Sequence, residues 1–421
     1  MSFSAEEAEE VLHVLFLQGT PSSFFRRLGR ALAEKGCRVS RINLCIGDWL
    51  FWHGPETVSY RGTLRCWPDY ITDYLQRERV TDLVLLGEQR RYHKEAVIAA
   101  QGLGVRVTVT DFGYLRPDWI TLERDGMSAN SRFPRDPGGI RALAEDSNSL
   151  EVCPIFSDST WAMALGDVVY SFATVFDFGF FPGYRRSDMR PHPLMYFPAV
   201  GLQLIKRWLI DKSVSAEVSR LIASGTPYYI FPLQLEHDFQ IVAYSPFGGL
   251  DEAIEVAIRS FAAHAPPQSC LVFKLHPWDP GLTRWHRVVQ RLAVQYCAED
   301  RTVFFPCGDL DTMIRGASGM VTVNSTSGLR AIQMGCPVKV LGSAVYDVMG
   351  LCDQSPLDDF WGKPLLPDTA LTDMLLRALA ATIQIRGVFF KEPGMSAAIS
   401  AATERLLTKR VGLPIRRDRG G

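Results

Sequence analysis

The stretch GMVTVNSTSGLRAIQMGCPVKVL, residues 319–341, decides the fold. A short apolar run, 319–323, has strand character. The polar turn Asn324-Ser325-Thr326-Ser327-Gly328 follows, and a helical pattern occupies 327–334. Gly335 and Pro337 stop that pattern, and a second apolar run fills 337–341. Strand, turn, helix and strand at this spacing imply a parallel α/β sheet.

The same alternation extends upstream. Strands are predicted at 228–232, 270–275 and 302–305, with helices at 250–263, 282–297 and 309–315. In the first half, Val11–Leu17 reads as a strand, Gln18-Gly19-Thr20-Pro21-Ser22 as its turn, and Phe24–Glu34 as a helix stopped at Gly36. Strands Arg38–Leu44, Thr81–Leu86 and 105–110 follow, with a helix at Tyr92–Gln101. Residues 112–225 read as an irregular insertion. Within it Pro134–Gly139 reads as a loop, and helical patterns lie near 158–176 and 199–210. The expected fold class is therefore α/β, with two Rossmann-like doubly wound domains facing a cleft. The expected domains are 1–215, 216–390, and a C-terminal piece, 391–421, with a helix at 397–408 before a basic tail.

Composition narrows the function. Of 421 residues, 47% are hydrophobic and 22% charged, which excludes a disordered, collagen-like or coiled-coil chain. Lys and Arg number 45 against 46 Asp and Glu, so bulk nucleic-acid binding is not expected. Nine cysteines stand singly, with no Cys-x-x-Cys pair and no zinc spacing. No metal or other cofactor is expected, and a reducing cytoplasm fits. Met1–Glu10 carries four glutamates and no basic residue, the reverse of a signal peptide. No apolar run reaches the roughly 20 residues of a membrane span.

Ligands of doubly wound sheets bind outside the carboxyl ends of the strands, and the polar motifs fall there. Lys274-Leu275-His276-Pro277 closes one strand, because proline cannot continue a ladder. His276 there fits either a backbone-bonded strand end or a ligand contact. Asn324-Ser325-Thr326-Ser327-Gly328 combines hydroxyls with the free amides of a helix start. One such residue serves as an N-cap; four in a row favour an anion site, most simply a phosphate, with His276 beside it. Gly19-Thr20-Pro21-Ser22-Ser23 is the corresponding turn in the first half, suited to an acceptor contact or to ordinary capping. Asp111, after the strand 105–110, would face the cleft as a general base or nucleophile, or cap a turn. Gln234, Glu236, His237, Asp238 and Gln240 form a further polar cluster.

Together these pieces resemble one family over nearly the whole chain. The resemblance rests on Leu15-Phe16-Leu17-Gln18-Gly19, Arg41-Ile42-Asn43-Leu44 with Gly47-Asp48, and Tyr60-Arg61-Gly62. It continues through Gly113-Tyr114-Leu115-Arg116-Pro117-Asp118, Pro232-Leu233-Gln234, Lys274-Leu275-His276-Pro277, Val323-Asn324-Ser325-Thr326 and Gly342-Ser343-Ala344-Val345-Tyr346-Asp347. The chain is similar to the capsule polysaccharide biosynthesis and export proteins of the KpsS/LipB type. That resemblance implies a bacterial glycosyltransferase of GT-B architecture. Such an enzyme would transfer β-Kdo from CMP-Kdo to a phosphatidylglycerol-type lipid and so start the poly-Kdo linker of the capsule. It would work in the cytoplasm, peripherally on the inner face of the inner membrane, alongside a KpsC-type transferase and a capsule ABC exporter.

Carried onto this sequence, donor binding falls to Lys274, His276, Pro277, Asn324, Ser325, Thr326, Ser327 and Gly328. The acceptor side takes Gly19, Ser22, Ser23, Arg116, Arg185 and Arg186. Related transferases carry an acidic-acidic-Gly motif, here Asp111-Phe112-Gly113. Phe112 cannot do acid/base work, so the catalytic carboxylate is expected at Asp111, with Asp238 and Glu236 in reserve. A membrane surface would meet Phe178–Phe197 or the tail residues Lys409, Arg410, Arg416, Arg417 and Arg419. Two other classes fit the same pattern: another GT-B nucleotide-sugar enzyme, such as an epimerase, or a non-catalytic assembly or export subunit.

Overall fold

Strands buried on both faces need helices above and below them, and the chain supplies this arrangement twice. The computed structural model describes residues 11–145, 153–177, 179–186 and 190–414. In the first unit, β1 (His13–Phe16), β2 (Arg38–Asn43), β3 (Thr57–Ser59), β4 (Asp82–Leu86) and β5 (Arg106–Phe112) pair in parallel. β6 (Trp119–Arg124) adds antiparallel to β5, and the strand Gln384–Arg386 adds antiparallel to β6. Across the sheet the order is β3-β2-β1-β4-β5-β6, then 384–386. Helix Phe24–Glu34 buries Phe24, Phe25, Leu28 and Leu32 at helical spacing. Helix Gly394–Leu407 adds Met395, Ala398, Ile399 and Ala402 to the same core.

The second unit holds β7 (Tyr228–Pro232), β8 (Cys270–Lys274), β9 (Thr302–Phe305), β10 (Gly319–Thr322) and β11 (Val338–Val340), all parallel. Their order, β9-β8-β7-β10-β11, repeats β3-β2-β1-β4-β5. Its core gathers Phe231, Ile254, Phe261, Phe273, Val321 and Trp361. In this order the winding reverses between the first and fourth strands of each sheet. The crevice outside the strand ends is therefore expected between β1 and β4, and again between β7 and β10.

Three expectations differ from the structure. Residues 112–225 are not irregular: they hold β6 and the helices Pro137–Glu145, Thr160–Val175 and Pro193–Ala223. The proline and glycines of 134–139 disguised a helix start, although proline suits the first turn. The division of the chain also differs from breaks at 215 and 390. The first unit takes 11–127, 153–186 and 383–414, and the second takes 128–145 and 190–382. Helix Pro193–Ala223 joins the second unit because Val214 and Val218 pack over Gly308 and Arg207 bonds to residues 276 and 277. Residues 383–390 join the first unit because their strand pairs with β6.

Candidate functional site

The carboxyl edge of the second sheet is tied together by its own backbone and side chains. The Leu233 amide donates to the Lys274 carbonyl at 2.8 Å, joining the exits of β7 and β8. Asn324 joins the exits of β7 and β10. Its side-chain amide donates to the carbonyls of Gln240 (2.7 Å) and Tyr244 (3.3 Å), and its side-chain oxygen accepts from Gln234 at 3.0 Å. With both amide protons engaged, buried Asn324 is a brace.

His276 stands half-buried just past β8. Its Nδ1 accepts the Trp278 amide at 3.1 Å, so the neutral ring keeps its proton on Nε2. The His276 carbonyl accepts from the Arg207 guanidinium at 2.7 Å, and the Pro277 carbonyl accepts from the same group. Arg207 therefore holds the backbone of the His-Pro turn in place. Beside it, Lys274 is buried, and desolvation together with the Arg207 charge pulls its ammonium below the usual lysine range. Among the described residues no carboxylate forms an ion pair with Lys274. Lys274 and Arg207 thus lie behind the turn, with the Asp309 and buried Asp279 carboxylates among the charges acting on them.

Past β10, Ser325 caps the helix Thr326–Gln333. Its Oγ accepts from the Ser327 amide at 3.2 Å and the Ser327 hydroxyl at 2.8 Å. Tyr346 donates its hydroxyl to the Ser325 carbonyl. A Cβ on Gly328 would sit 2.4 Å from that hydroxyl oxygen, so glycine leaves room for the clamp. Gly328 is therefore a packing residue. The capping role is real and occupies Ser325 and Ser327 together. Thr326 differs: its hydroxyl makes no hydrogen bond among the described residues. It lies in the first turn, where helix amides favour an anion. Strands lie about 4.8 Å apart, so the exits of β8 and β10 are separated by roughly 10 Å.

The other expected residues are spread more widely. Asp238 caps the short helix Phe239–Val242 through the Gln240 amide at 3.0 Å, and Glu236 accepts from the Thr283 hydroxyl at 2.8 Å. Asp111 does not follow β5 but lies within it, opposite Thr121 in β6. Its carboxylate accepts the Phe112 amide at 2.7 Å. The Phe112 ring packs edge-on against Phe389, 5.3 Å between centroids, with the Arg116 guanidinium over it. The strand runs on because β6 returns as a hairpin; a Cβ on Gly113 would meet the Trp119 carbonyl oxygen at 2.4 Å.

In the first turn, a Cβ on Gly19 would meet the Phe25 ring at 2.5 Å. Ser22 Oγ accepts the Phe24 amide at 3.2 Å, and Ser23 bonds to the Met395 sulfur at 3.6 Å. Ser22 thus meets the first helical amide, while Ser23 at the N-cap position makes no side-chain capping bond. Arg185 is exposed, with its amide on the Tyr92 hydroxyl at 3.0 Å; Arg186 is half-buried. Arg416, Arg417 and Arg419 lie outside the described residues, as do 178 and 187–189 of the segment 178–197.

Sequence reasoning missed two features. Arg207 sits in an apolar helical run with no motif around it; a charge on the buried side of such a helix was the available signal. In the first unit, Asp48 is the centre of a buried network. Gln18 (3.1 Å), the Tyr170 hydroxyl (3.1 Å) and the Leu44 amide (2.9 Å) donate to it, and Arg41 lies at 3.5 Å. Arg41 also reaches the Asn43 side-chain oxygen and the Leu17 carbonyl. At the exit of β4, His93 is fully buried, its Nδ1 at 2.9 Å from both the Leu86 and Gly87 carbonyls.

Residues 81–390 match the family described as capsule polysaccharide biosynthesis protein. The chain is 29% identical over 395 residues to the capsule polysaccharide modification protein LipB of Neisseria meningitidis serogroup A, covering 91% of this chain and 93% of that one. It is 28% identical over 384 residues to the capsule polysaccharide export protein KpsS of Escherichia coli, covering 89% and 96%. Among solved structures, the β-Kdo 2,7 transferase KpsC of Thermosulfurimonas dismutans aligns over 94% of this chain and 99% of its own, with 14% identity and a TM-score of 0.45.

Proposed function

The chain belongs to the capsule polysaccharide biosynthesis protein family, and from that premise we propose that it is a β-Kdo transferase of GT-B type. The donor is CMP-Kdo, the acceptor a phosphatidylglycerol-type lipid, and the product the first unit of a capsule's poly-Kdo linker. The observation that carries this reading is the edge of the second sheet. There a ring N–H on His276 and a helix start with the open hydroxyl of Thr326 flank the switch point, with Lys274 and Arg207 behind them.

CMP-Kdo brings a phosphate and a carboxylate. Both sit on the same anomeric carbon, so they form one compact anionic centre, which side chains reaching in from strand exits roughly 10 Å apart can meet from two sides. His276 Nε2–H donates to the phosphate, the Thr326 hydroxyl and the helix start meet the second negative group, and the buried cations add a favourable field. Offsetting the phosphate charge makes CMP a better leaving group. The anomeric carbon gains oxocarbenium character as the bond breaks, and a carboxylate stabilises it. We assign that role to Asp111. Among the described residues no helix is long and apolar enough to cross a membrane. In this reading the enzyme meets its lipid from the surface, at the inner face of the inner membrane. Work alongside a KpsC-type transferase and an ABC exporter belongs to the same reading.

The test is CMP release from CMP-Kdo with and without a short-chain phosphatidylglycerol. His276→Ala should lower kcat/KM by about 10²–10³-fold while leaving thermal stability nearly unchanged. Kinetics equal to wild type would remove His276 from the site. Asp111→Asn with full turnover would remove Asp111. The Phe112 ring, committed to packing on Phe389, favours one second reading, a non-catalytic assembly subunit; it gains if no CMP is released under any acceptor condition.

A further inference from the structure

Helix Pro193–Ala223 presents two unlike faces. Tyr196, Arg207, Val214 and Val218 are buried against the second unit. On the other side Leu194, Met195, Leu202, Ile205, Trp208 and Leu209 are exposed, Trp208 to 78% and Leu209 to 67%. Isolated exposed apolar residues are normal; a cluster of this size along one helix marks an interaction surface. Its charges are informative too. Between 193 and 212 the helix carries Lys206, Arg207 and Lys212 against a single acid, Asp211. Lys206 and Lys212 are exposed, and neither forms an ion pair among the described residues.

We propose that the outward face of this helix, residues 194–212, docks in the plane of an anionic phospholipid bilayer. The inference rests on the lipid-acceptor reading above for its identification of the surface as lipid. Trp and Leu on one side with Lys at the flanks is the chemistry of an interfacial helix, and uncompensated lysines match an anionic headgroup layer. A second copy packed face to face about Ile205 and Trp208 would bring lysines against lysines. The exposed face of helix Thr160–Val175, with Trp161 and Leu165, carries only Asp167 as a charge, so no such complementarity selects its occupant. Because Arg207 lies on the inward side and bonds to the His276 and Pro277 carbonyls, the helix that carries the docked surface also holds the donor turn. Docking would hold that turn at a set height above the lipid.

The experiment is co-sedimentation of the full chain with vesicles of phosphatidylcholine alone and of phosphatidylcholine with one-quarter phosphatidylglycerol. Wild type should prefer the anionic vesicles by about tenfold or more. Trp208→Glu with Leu209→Glu should reduce binding to them about tenfold or more. Lys206→Glu with Lys212→Glu should do the same and abolish the salt dependence. All four side chains are exposed, so the melting temperature should not move. Wild-type binding that ignores phosphatidylglycerol would overturn the proposal. So would variants that bind as wild type does, or variants that only convert a dimer to a monomer in light scattering. CMP release with a water-soluble, short-chain acceptor is measured in parallel. Turnover without vesicle binding defeats the docking alone; vesicle binding without turnover defeats the catalytic reading alone.

Discussion

The two sheets share one strand order, yet the same place in each is filled differently. Outside β1 and β2, the first unit turns its polar groups on one another. Asp48 takes hydrogen bonds from Gln18, Tyr170 and the Leu44 amide, Arg41 stands beside it, and all but Tyr170 are buried. Outside β7, β8 and β10, the second unit spends Asn324 and Gln234 on bracing. It leaves His276 and Thr326 half-buried, with cations behind them. A saturated, buried polar network is scaffold, because every group has replaced its water. Donors held in place but only part-buried can still exchange water for a ligand.

The sharpest way to break that comparison is to remove Asp48. Asp48→Ala would leave the Arg41 charge buried without its carboxylate, which costs about 3–5 kcal/mol. Urea denaturation should show that loss, with the slope unchanged. Replacing the pair together, Arg41→Met with Asp48→Leu, should recover much of it. A single substitution that costs less than about 1 kcal/mol would mean the network is not scaffold, and the first unit's edge would have to be reconsidered as a ligand site.

A smaller effect should follow from Arg207→Gln. The guanidinium fork donates to two consecutive carbonyls, and glutamine's single amide group cannot reproduce that geometry. Displacing His276 by about 1 Å is enough to cost roughly 10²-fold in kcat/KM. A positioning role predicts that the loss falls on kcat and on the KM for CMP-Kdo, while the KM for the lipid stays put. A role in stability alone would lower the melting temperature and leave both constants in place, and would weaken the claim that the second unit's edge is the built site.

The periodic elements were legible because pattern and burial agree. The runs at 228–232, 270–275 and 319–323, and the helix Phe24–Glu34, stand where periodicity places them. The failures have local causes. β6 and the strand 384–386 pair antiparallel at the sheet's far edge, outside the alternation of strand and helix that identified the others. Asp111 was expected past its strand because the apolar run ends at Thr110, but pairing with β6 carries β5 to Phe112. At the site, residue types identified the His-Pro turn and the hydroxyl run. They could not separate Thr326 from Ser325, since only tertiary contacts decide which hydroxyls are consumed by capping. Arg207 reaches its partners across about seventy residues of chain, a distance no local pattern records.

His93 offers the finest test of the first unit's closure. Its Nδ1 lies at 2.9 Å from the Leu86 and Gly87 carbonyls and so carries the proton; its Nε2 is buried with no hydrogen-bond partner. Burial, with Arg90 and Arg41 among the nearby charges, lowers its pKa from 6.5 to about 3. Between those values the unfolded chain binds a proton that the folded one refuses. Stability from this group is therefore complete above about pH 6.5 and falls as the pH drops toward 3, by at most about 1.4 kcal/mol per pH unit. His93→Asn keeps a donor near the Nδ1 position and removes the titration, so urea midpoints between pH 6.5 and 5 should flatten relative to wild type. His13, also held below its usual value by burial, will leave a residual slope, which a second variant at that position removes. A wild-type midpoint that does not move over this range would show that water reaches Nε2 of His93. The exit of β4 would then be open in the way the exits of β8 and β10 are.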